Sequence, residues 1–418
     1  MAAGRSGGEL NAIGATDFAG ARSAEPAGRW GVLVLLAAAE LAGMSLWFTA
    51  SAVAPQLREL WSLSAGQEVW LTNAVQLGFV VGTAAAAALN LADIVRARAL
   101  FAASALAAAL VNGLILIAPG FAVGVGLRFL TGVFLAGVYP PAMKMAATWF
   151  RSGRGLAIGT IVGALTVGKA TPYLLQGMEG VGLGGVIGSA SAGAAAAGAL
   201  VLLAYRDGPF PFASRPFHWG LVGSVLRHRP TRLAIYGYLG HMWELYAMWA
   251  LVTLYFKDVL AAAGPGGSAL RAGIIGFAVI AAGGPGSVIA GRLADRFGRE
   301  RVASWAMVVS GACALSIGWL MSAPLAALVA LGLLWGAAVV ADSAQFSALV
   351  TEVAPSHAVG TALTLQTSLG FALTIGSIWL ASDLSTRVGW GAAFSVLAVG
   401  PALGIMAMAR LTAARSLP

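Results

Sequence analysis

Charge is what this sequence has least of. Asp, Glu, Lys and Arg make up 10% of its 418 residues, against about 25% in ordinary soluble domains. Hydrophobic residues make up 59%, and mean hydropathy is +0.84. This balance excludes a soluble enzyme carrying a single anchor and implies a polytopic membrane protein. Cysteine is almost absent: Cys313 stands alone in an apolar run, so no intrachain disulfide can form. No Gly-x-x-x-x-Gly-Lys-Ser/Thr run occurs, so ATP is not the expected direct energy source. Alternating strand patterns are lacking too. The apolar runs are continuous, which excludes a β-barrel.

What is present is a series of long apolar segments. A hydrocarbon core of roughly 30 Å needs about 20 apolar residues per helix. Twelve such spans are expected at about 30–52, 68–89, 98–118, 121–149, 155–176, 183–205, 232–256, 271–291, 302–321, 324–349, 358–381 and 388–411. The 56 glycines fit this reading, because membrane helices pack through small residues that let backbones approach. The net charge of +9 is explained by its distribution rather than by a nucleic-acid partner. With the N-terminus inside, 18 Lys and Arg fall in cytoplasmic segments, 4 outside and 3 within spans. The positive-inside rule then sets both termini in the cytoplasm, with the chain in the plasma (bacterial inner) membrane. Residues 1–28 read as a disordered cytosolic tail with no signal-peptide core.

The chain also repeats itself. Glu40-Leu41-Ala42-Gly43-Met44 returns as Glu244-Leu245-Tyr246-Ala247-Met248, 204 positions later. Leu91-Ala92-Asp93 returns as Leu293-Ala294-Asp295, Gly132 as Gly336, and Gly155-x-Ala157 as Gly360-x-Ala362, at offsets of 202 to 205. Duplicated halves in an apolar chain point to a transporter whose substrate site lies between the repeats. The expected division is 29–205 and 232–411 as two six-helix bundles, a cytosolic linker at 206–231 and a tail at 412–418.

One loop is more specific. Gly291-Arg292-Leu293-Ala294-Asp295-Arg296-Phe297-Gly298-Arg299-Glu300-Arg301 closely resembles the signature loop of the major facilitator superfamily. The first-half copy is degenerate, with Asn90 in place of the initial Gly and no Gly after Asp93. Arg128-x-x-x-Gly132 looks like a second superfamily motif, in which an intramembrane Arg takes part in proton coupling. The resemblance implies an all-α fold of twelve transmembrane helices in two pseudo-symmetric bundles. It implies a gating latch from Asp93, Arg96, Gly291, Asp295, Arg296, Gly298 and Arg299, in which Asp295 pairs with an arginine or caps a helix N-terminus across the cytoplasmic face.

Six ionisable residues sit inside spans: Glu40, Arg128, Lys144, Lys169, Glu244 and Asp342. Each costs roughly 2.5–3.5 kcal/mol at a helix centre, so each is expected to face the protein interior or a wet cavity. Glu40 and Met44 are i, i+4 and share a helix face that Trp47 extends. Glu244, Met248 and His241 form the corresponding group in the second half. Lys169 is placed to bind a substrate carboxylate or to neutralise Glu40. Tyr139, Gln345 and Gln366 are candidate hydrogen-bonders in the cavity. A carboxylate removed from water can carry a proton. Glu244, beside His241, is the expected coupling acid, with Arg128 and Asp342 as the other coupling candidates. Pro140-Pro141, Pro172, Gly284-Pro285-Gly286 and Pro401 are expected hinge points.

The expected function is secondary active transport of a small polar organic solute, proton-coupled, by alternating access. The expected partners are that solute, protons and the lipid bilayer, with a monomeric chain, no cofactor and no enzymatic activity. A nitrate/nitrite-type carrier is the alternative, although spans 2 and 8 lack the interior arginines known in that family. Oxalate-type carriers are disfavoured because spans 7–12 hold no interior cation. Met44, Met143, Met145, Met242, Met248 and His241 are soft ligands, but their spacing matches no metal motif. A non-transporting sensor on a transporter fold would need a cytosolic output domain larger than these segments allow.

Overall fold

Helix formation follows the apolar runs, and the most informative departure is at the start. The computed structural model describes residues 26–415 apart from 152, 179, 211–216, 263 and 265–268. Among the described residues there is no strand. The first helix, α1 (Arg29–Met44), is 16 residues long, which at 1.5 Å per residue is about 24 Å. Eleven further helices are long and apolar enough to cross a membrane: α2 (Ala65–Ala88), α3 (Ala97–Ile117), α4 (Phe121–Ala147), α5 (Gly155–Gly177), α6 (Leu183–Ala204), α7 (Arg229–Ala262), α8 (Leu270–Phe297), α9 (Arg299–Leu320), α10 (Leu325–Val353), α11 (Ser356–Arg387) and α12 (Trp390–Arg415). This is the architecture of a polytopic membrane protein. The expected tail at 1–28 lies almost wholly outside the described residues.

The burial pattern is inverted relative to a water-soluble protein. Large aliphatic side chains such as Val34, Leu110, Leu203, Val308, Leu334 and Leu403 are exposed, whereas Glu40, Arg128, Lys169, His241, Glu244 and Asp342 are buried. An exposed apolar belt around a polar interior suits lipid on the outside.

The expected first span, 30–52, is interrupted. The helix stops at Met44, Ser45–Phe48 form turns, and short helices resume at Thr49–Ala52 and Ala54–Trp61. Three other expected spans are also broken, at 136–138 in α4, at Ala282 in α8 and at Asp342 in α10. The first two lie beside Pro140-Pro141 and Pro285. Pro172, by contrast, stands inside a continuous helix.

Packing follows a regular scheme. Within 29–204, α1 packs on α5 and α6, α2 on α4, and α3 on α4 and α6. Within 229–415, α7 packs on α11 and α12, α8 on α10, and α9 on α10 and α12. The main contacts between these sets are α5 with α8 and α2 with α11. Glycine permits the closest approaches. Gly132 lies so close to the Val75 carbonyl, and Gly336 to the Val279 carbonyl, that a Cβ on either would collide with it. Both residues of the second pair stand 204 positions after those of the first.

The α5–α8 seam is tight along its whole length. A Cβ on Gly155 would reach 3.3 Å from Asp295 Oδ2 at one end, and one on Gly163 would reach 3.2 Å from the Gly284 carbonyl at mid-helix. At the other end a Cβ on Gly177 would lie 3.1 Å from the Leu270 carbonyl.

Candidate functional site

The polar centre of the molecule is built on Lys169, in the middle of α5 and 1% exposed. Its ammonium group is enclosed by aromatic rings. Nζ stands 3.8 Å from the Trp47 ring centroid, 4.5 Å from Tyr246 and 5.4 Å from Trp249. Each desolvated cation–π contact is worth about 2 kcal/mol. Nζ also donates to the Tyr246 hydroxyl. A second layer of rings closes behind these. Phe371 from α11 touches Trp47, Tyr246 and Phe79 of α2, and Phe48 touches Tyr173 and Trp249. The walls therefore come from the turn after α1 and from α2, α5, α7 and α11.

The polar atoms around this cage are poorly satisfied. Trp47 Nε1, Trp249 Nε1, the Tyr173 hydroxyl and both Glu40 carboxylate oxygens are buried without a hydrogen-bond partner. Glu40 lies in electrostatic reach of Lys169 and Tyr139. Buried polar groups are normally paired, and an unpaired one costs about 1–3 kcal/mol. Several such orphans are therefore gathered near one ammonium group.

Arg128 explains the break in α1. From α4 its guanidinium reaches the chain just where the helix stops. NH1 donates to the Leu46 carbonyl at 3.0 Å, Thr49 Oγ1 at 3.1 Å and Asn112 Oδ1 at 3.0 Å, and NH2 donates to the Trp47 carbonyl. Nε points to the Leu71 carbonyl at 3.4 Å. Carbonyls freed from a helix inside a membrane need new donors, and the fork of Arg128 supplies them. The turn so held carries Trp47, which covers Lys169. Trp47 thus joins the cage from a turn, not from the continuous helix face expected from its spacing to Glu40.

The second acidic group is arranged differently. Glu244 Oε1 accepts from Trp335 Nε1 at 2.7 Å, and Oε2 accepts from Ser310 Oγ at 2.8 Å. It is thereby turned toward α9 and α10. His241 Nδ1 lies 2.8 Å from Asp342 Oδ1 where α10 is broken. That contact has an ion-pair distance but lacks hydrogen-bond alignment, and His241 Nε2 has no partner. Asp342 accordingly meets His241. Met44 and Met248 are buried core residues, and Tyr139 is partly buried at the start of the second half of α4.

The Gly291–Arg301 turn forms an arginine-rich end. Gly298 at φ +89° makes the reversal between α8 and α9, a conformation that L side chains rarely adopt. Gly291 approaches the Gly155 carbonyl, and Asp295 lies over the N-terminal turn of α5. Arg299 donates to Glu352 at 2.6 Å and to Gln345 at 3.1 Å, so Gln345 belongs to this end and not to the cage. Arg415 pairs with Glu300 and lies 3.7 Å from Glu352. Arg296 is exposed beside the Phe297 ring, and Arg96 is exposed before α3. The Asp93 side chain lies outside what the structure describes. In the expected linker, Phe217 N–H donates to Asn90 at the end of α2, and His218 N–H donates to Thr361 at the start of α11. Gln366 Nε2 reaches Ser347 Oγ at 3.4 Å, while its Oε1 is unpaired.

Sequence reasoning did not single out Tyr173, Tyr246, Trp249, Phe371, Ser310 or Trp335. Tyr173 stands four residues after Lys169 and so shares its face. Tyr246 and Trp249 fall within one and a half turns of Glu244. Nothing in sequence order ties Ser310 or Trp335 to Glu244. Neither family models nor curated proteins match this sequence.

Proposed function

We propose that the chain is a secondary transporter of the major facilitator type, moving a small polar organic solute through the membrane by alternating access. Its twelve helices form two six-helix bundles, 29–205 and 232–411, joined by the cytosolic linker 206–231. Three observations support this. The helix contacts of the first set recur six helices later in the second. The Gly132–Val75 approach recurs 204 positions on as Gly336–Val279. The largest contacts between the sets are α5–α8 and α2–α11, which suits two bodies rocking about a central site.

The observation that carries the reading is Lys169. A buried ammonium ringed by aromatic groups from five segments, with orphaned donors and an unpaired carboxylate beside it, has the composition of a solute pocket: mostly apolar walls with a few polar anchors. Its walls belong to both sets of helices, so rocking one against the other opens the pocket to alternate sides. The arginine-rich end is the cytoplasmic gate, where Asp295 bridges α8 to the N-terminus of α5. Coupling to protons is assigned to Glu40 in preference to Glu244, because Glu40 is unpaired beside the pocket and Glu244 is held by two donors.

Purified protein in proteoliposomes, tested for uptake of labelled small organic acids, amines and neutral polyols under an imposed pH gradient, checks this. The expected result is saturable uptake of one class that collapses with the gradient. Absence of uptake and counterflow for all three classes by folded protein overturns the transporter reading.

A further inference from the structure

Charge and donor counts in the Lys169 cage constrain what it can hold. Apart from Glu40, the unsatisfied groups at the cage can all donate. Lys169 spends its one hydrogen bond on the Tyr246 hydroxyl, and Trp47 Nε1, Trp249 Nε1 and the Tyr173 hydroxyl have no acceptor. Orphaned donors around a cation call for a ligand that brings acceptor oxygens and negative charge. The ring walls call for a compact apolar body attached to that charge.

The charge balance goes further. Against α1 pack α5, α6 and the second part of α4. From these, the titratable groups are Lys169 and Tyr173 on α5, and Tyr139 and Lys144 on α4, while α6 contributes none. Arg128 is engaged with the turn after α1, and Tyr246 faces the cage from α7. Lys144 is half-buried and has an interaction of its own, so the cage sets one ammonium, Lys169, against one carboxylate, Glu40. An entering anion makes that two negative charges against one positive in a site with no access to bulk water, which is costly. A single proton on Glu40 restores neutrality.

Resting on the transporter reading above, we propose that the solute is a small organic monocarboxylate whose carboxylate displaces the Tyr246 hydroxyl from Lys169, and that one proton enters on Glu40 with each anion, making the cycle electroneutral. The proton comes from the medium on the loading side, resides on a Glu40 oxygen while the anion is bound, and leaves with it on the other side. No net charge crosses. A dicarboxylate leaves an unbalanced charge, and an organic cation meets Lys169.

The test uses purified full-length protein and a set of probes sharing one body: benzoate, benzamide, benzylamine and phthalate, with propionate as a smaller acid. Thermal stabilisation and titration calorimetry are expected to show binding of the monocarboxylates at least tenfold tighter than of the amide, amine and dianion. Calorimetry in two buffers of different ionisation enthalpy is expected to count about one proton taken up per benzoate. Lys169→Met should abolish benzoate binding. Glu40→Gln should bind benzoate with no proton uptake. Tighter binding of the amine or the amide, or benzoate binding without proton uptake by the unmodified protein, overturns the proposal. Those readings need no variant, so a variant that fails to fold does not shield the idea. If amines or polyols are transported and monocarboxylates are not, this inference falls and the transporter reading stands. If nothing is transported, that reading falls.

Discussion

Helices α1 and α7 carry the same short sequence and do opposite things with it. Each presents Glu, Leu and Met in one register, 204 residues apart. Helix α7 runs unbroken for 34 residues, and its Glu244 is held by Ser310 and Trp335. Helix α1 stops four residues after Glu40, whose oxygens have no partner. The difference lies in what faces each helix. Arg128 takes the carbonyls that the break in α1 releases. The position 204 residues after it is Gly332, which instead makes room for Phe256 and Val279. At the corresponding offset of 205, Lys169 is matched by Thr374, whose hydroxyl turns back to its own helix at the Phe371 carbonyl. One acid is left without a hydrogen-bond partner and the other is held by two donors.

The comparison is broken most severely by removing Arg128. Arg128→Ala leaves the Leu46 and Trp47 carbonyls without their donor, at about 1–3 kcal/mol each. Folded yield in detergent should fall sharply, and the thermal midpoint should drop. Arg128→Lys should recover only part of the loss, since a point charge cannot reproduce the fork. Size-exclusion elution and thermal unfolding measure both. A midpoint unchanged in Arg128→Ala would remove the account of the α1 break.

The next effect falls on α7. Trp335→Phe and Ser310→Ala each strip one donor from buried Glu244, and each should destabilise by about 1–3 kcal/mol. Because the two hydroxyl and indole donors share one carboxylate, the double variant should depart from additivity. Uptake per folded molecule should stay near that of the unmodified protein. A selective loss of proton-driven uptake in either variant would return Glu244 to the coupling role.

Much of this was legible in the sequence, and the failures have physical causes. The apolar runs located eleven of the spans because helix length and hydropathy are local properties. The ends of the first run could not be read, because its break is imposed by Arg128, 84 residues away from Met44. The buried acids and bases were found because charge is rare here, yet their partners were not. Spacing on α7 suggested that Glu244 and His241 would share a proton. Instead Glu244 is met by α9 and α10, and His241 by Asp342. Burial can be inferred from one helix, but the facing side chains belong to others.

A gentler effect is expected at the arginine-rich end. Asp295→Asn keeps the size of the side chain and removes its charge over the N-terminal turn of α5, an interaction worth about 0.3–1 kcal/mol. Transport should slow by a few fold while membrane insertion is unchanged, as read by uptake normalised to protein amount. The smallest effect is predicted for Arg415→Ala. Its pairs with Glu300 and Glu352 are partly exposed, and such pairs are worth about 0–1 kcal/mol. The thermal midpoint should barely move.

The division of labour between the two acids is tested most directly by reconstituting Glu40→Gln and Glu244→Gln side by side and measuring, for the same labelled solute, accumulation driven by a pH gradient and counterflow without one. Glu40→Gln is expected to keep counterflow and lose accumulation, while Glu244→Gln keeps both and shows only a lowered thermal midpoint. Loss of accumulation with retained counterflow in Glu244→Gln, and normal accumulation in Glu40→Gln, would contradict it.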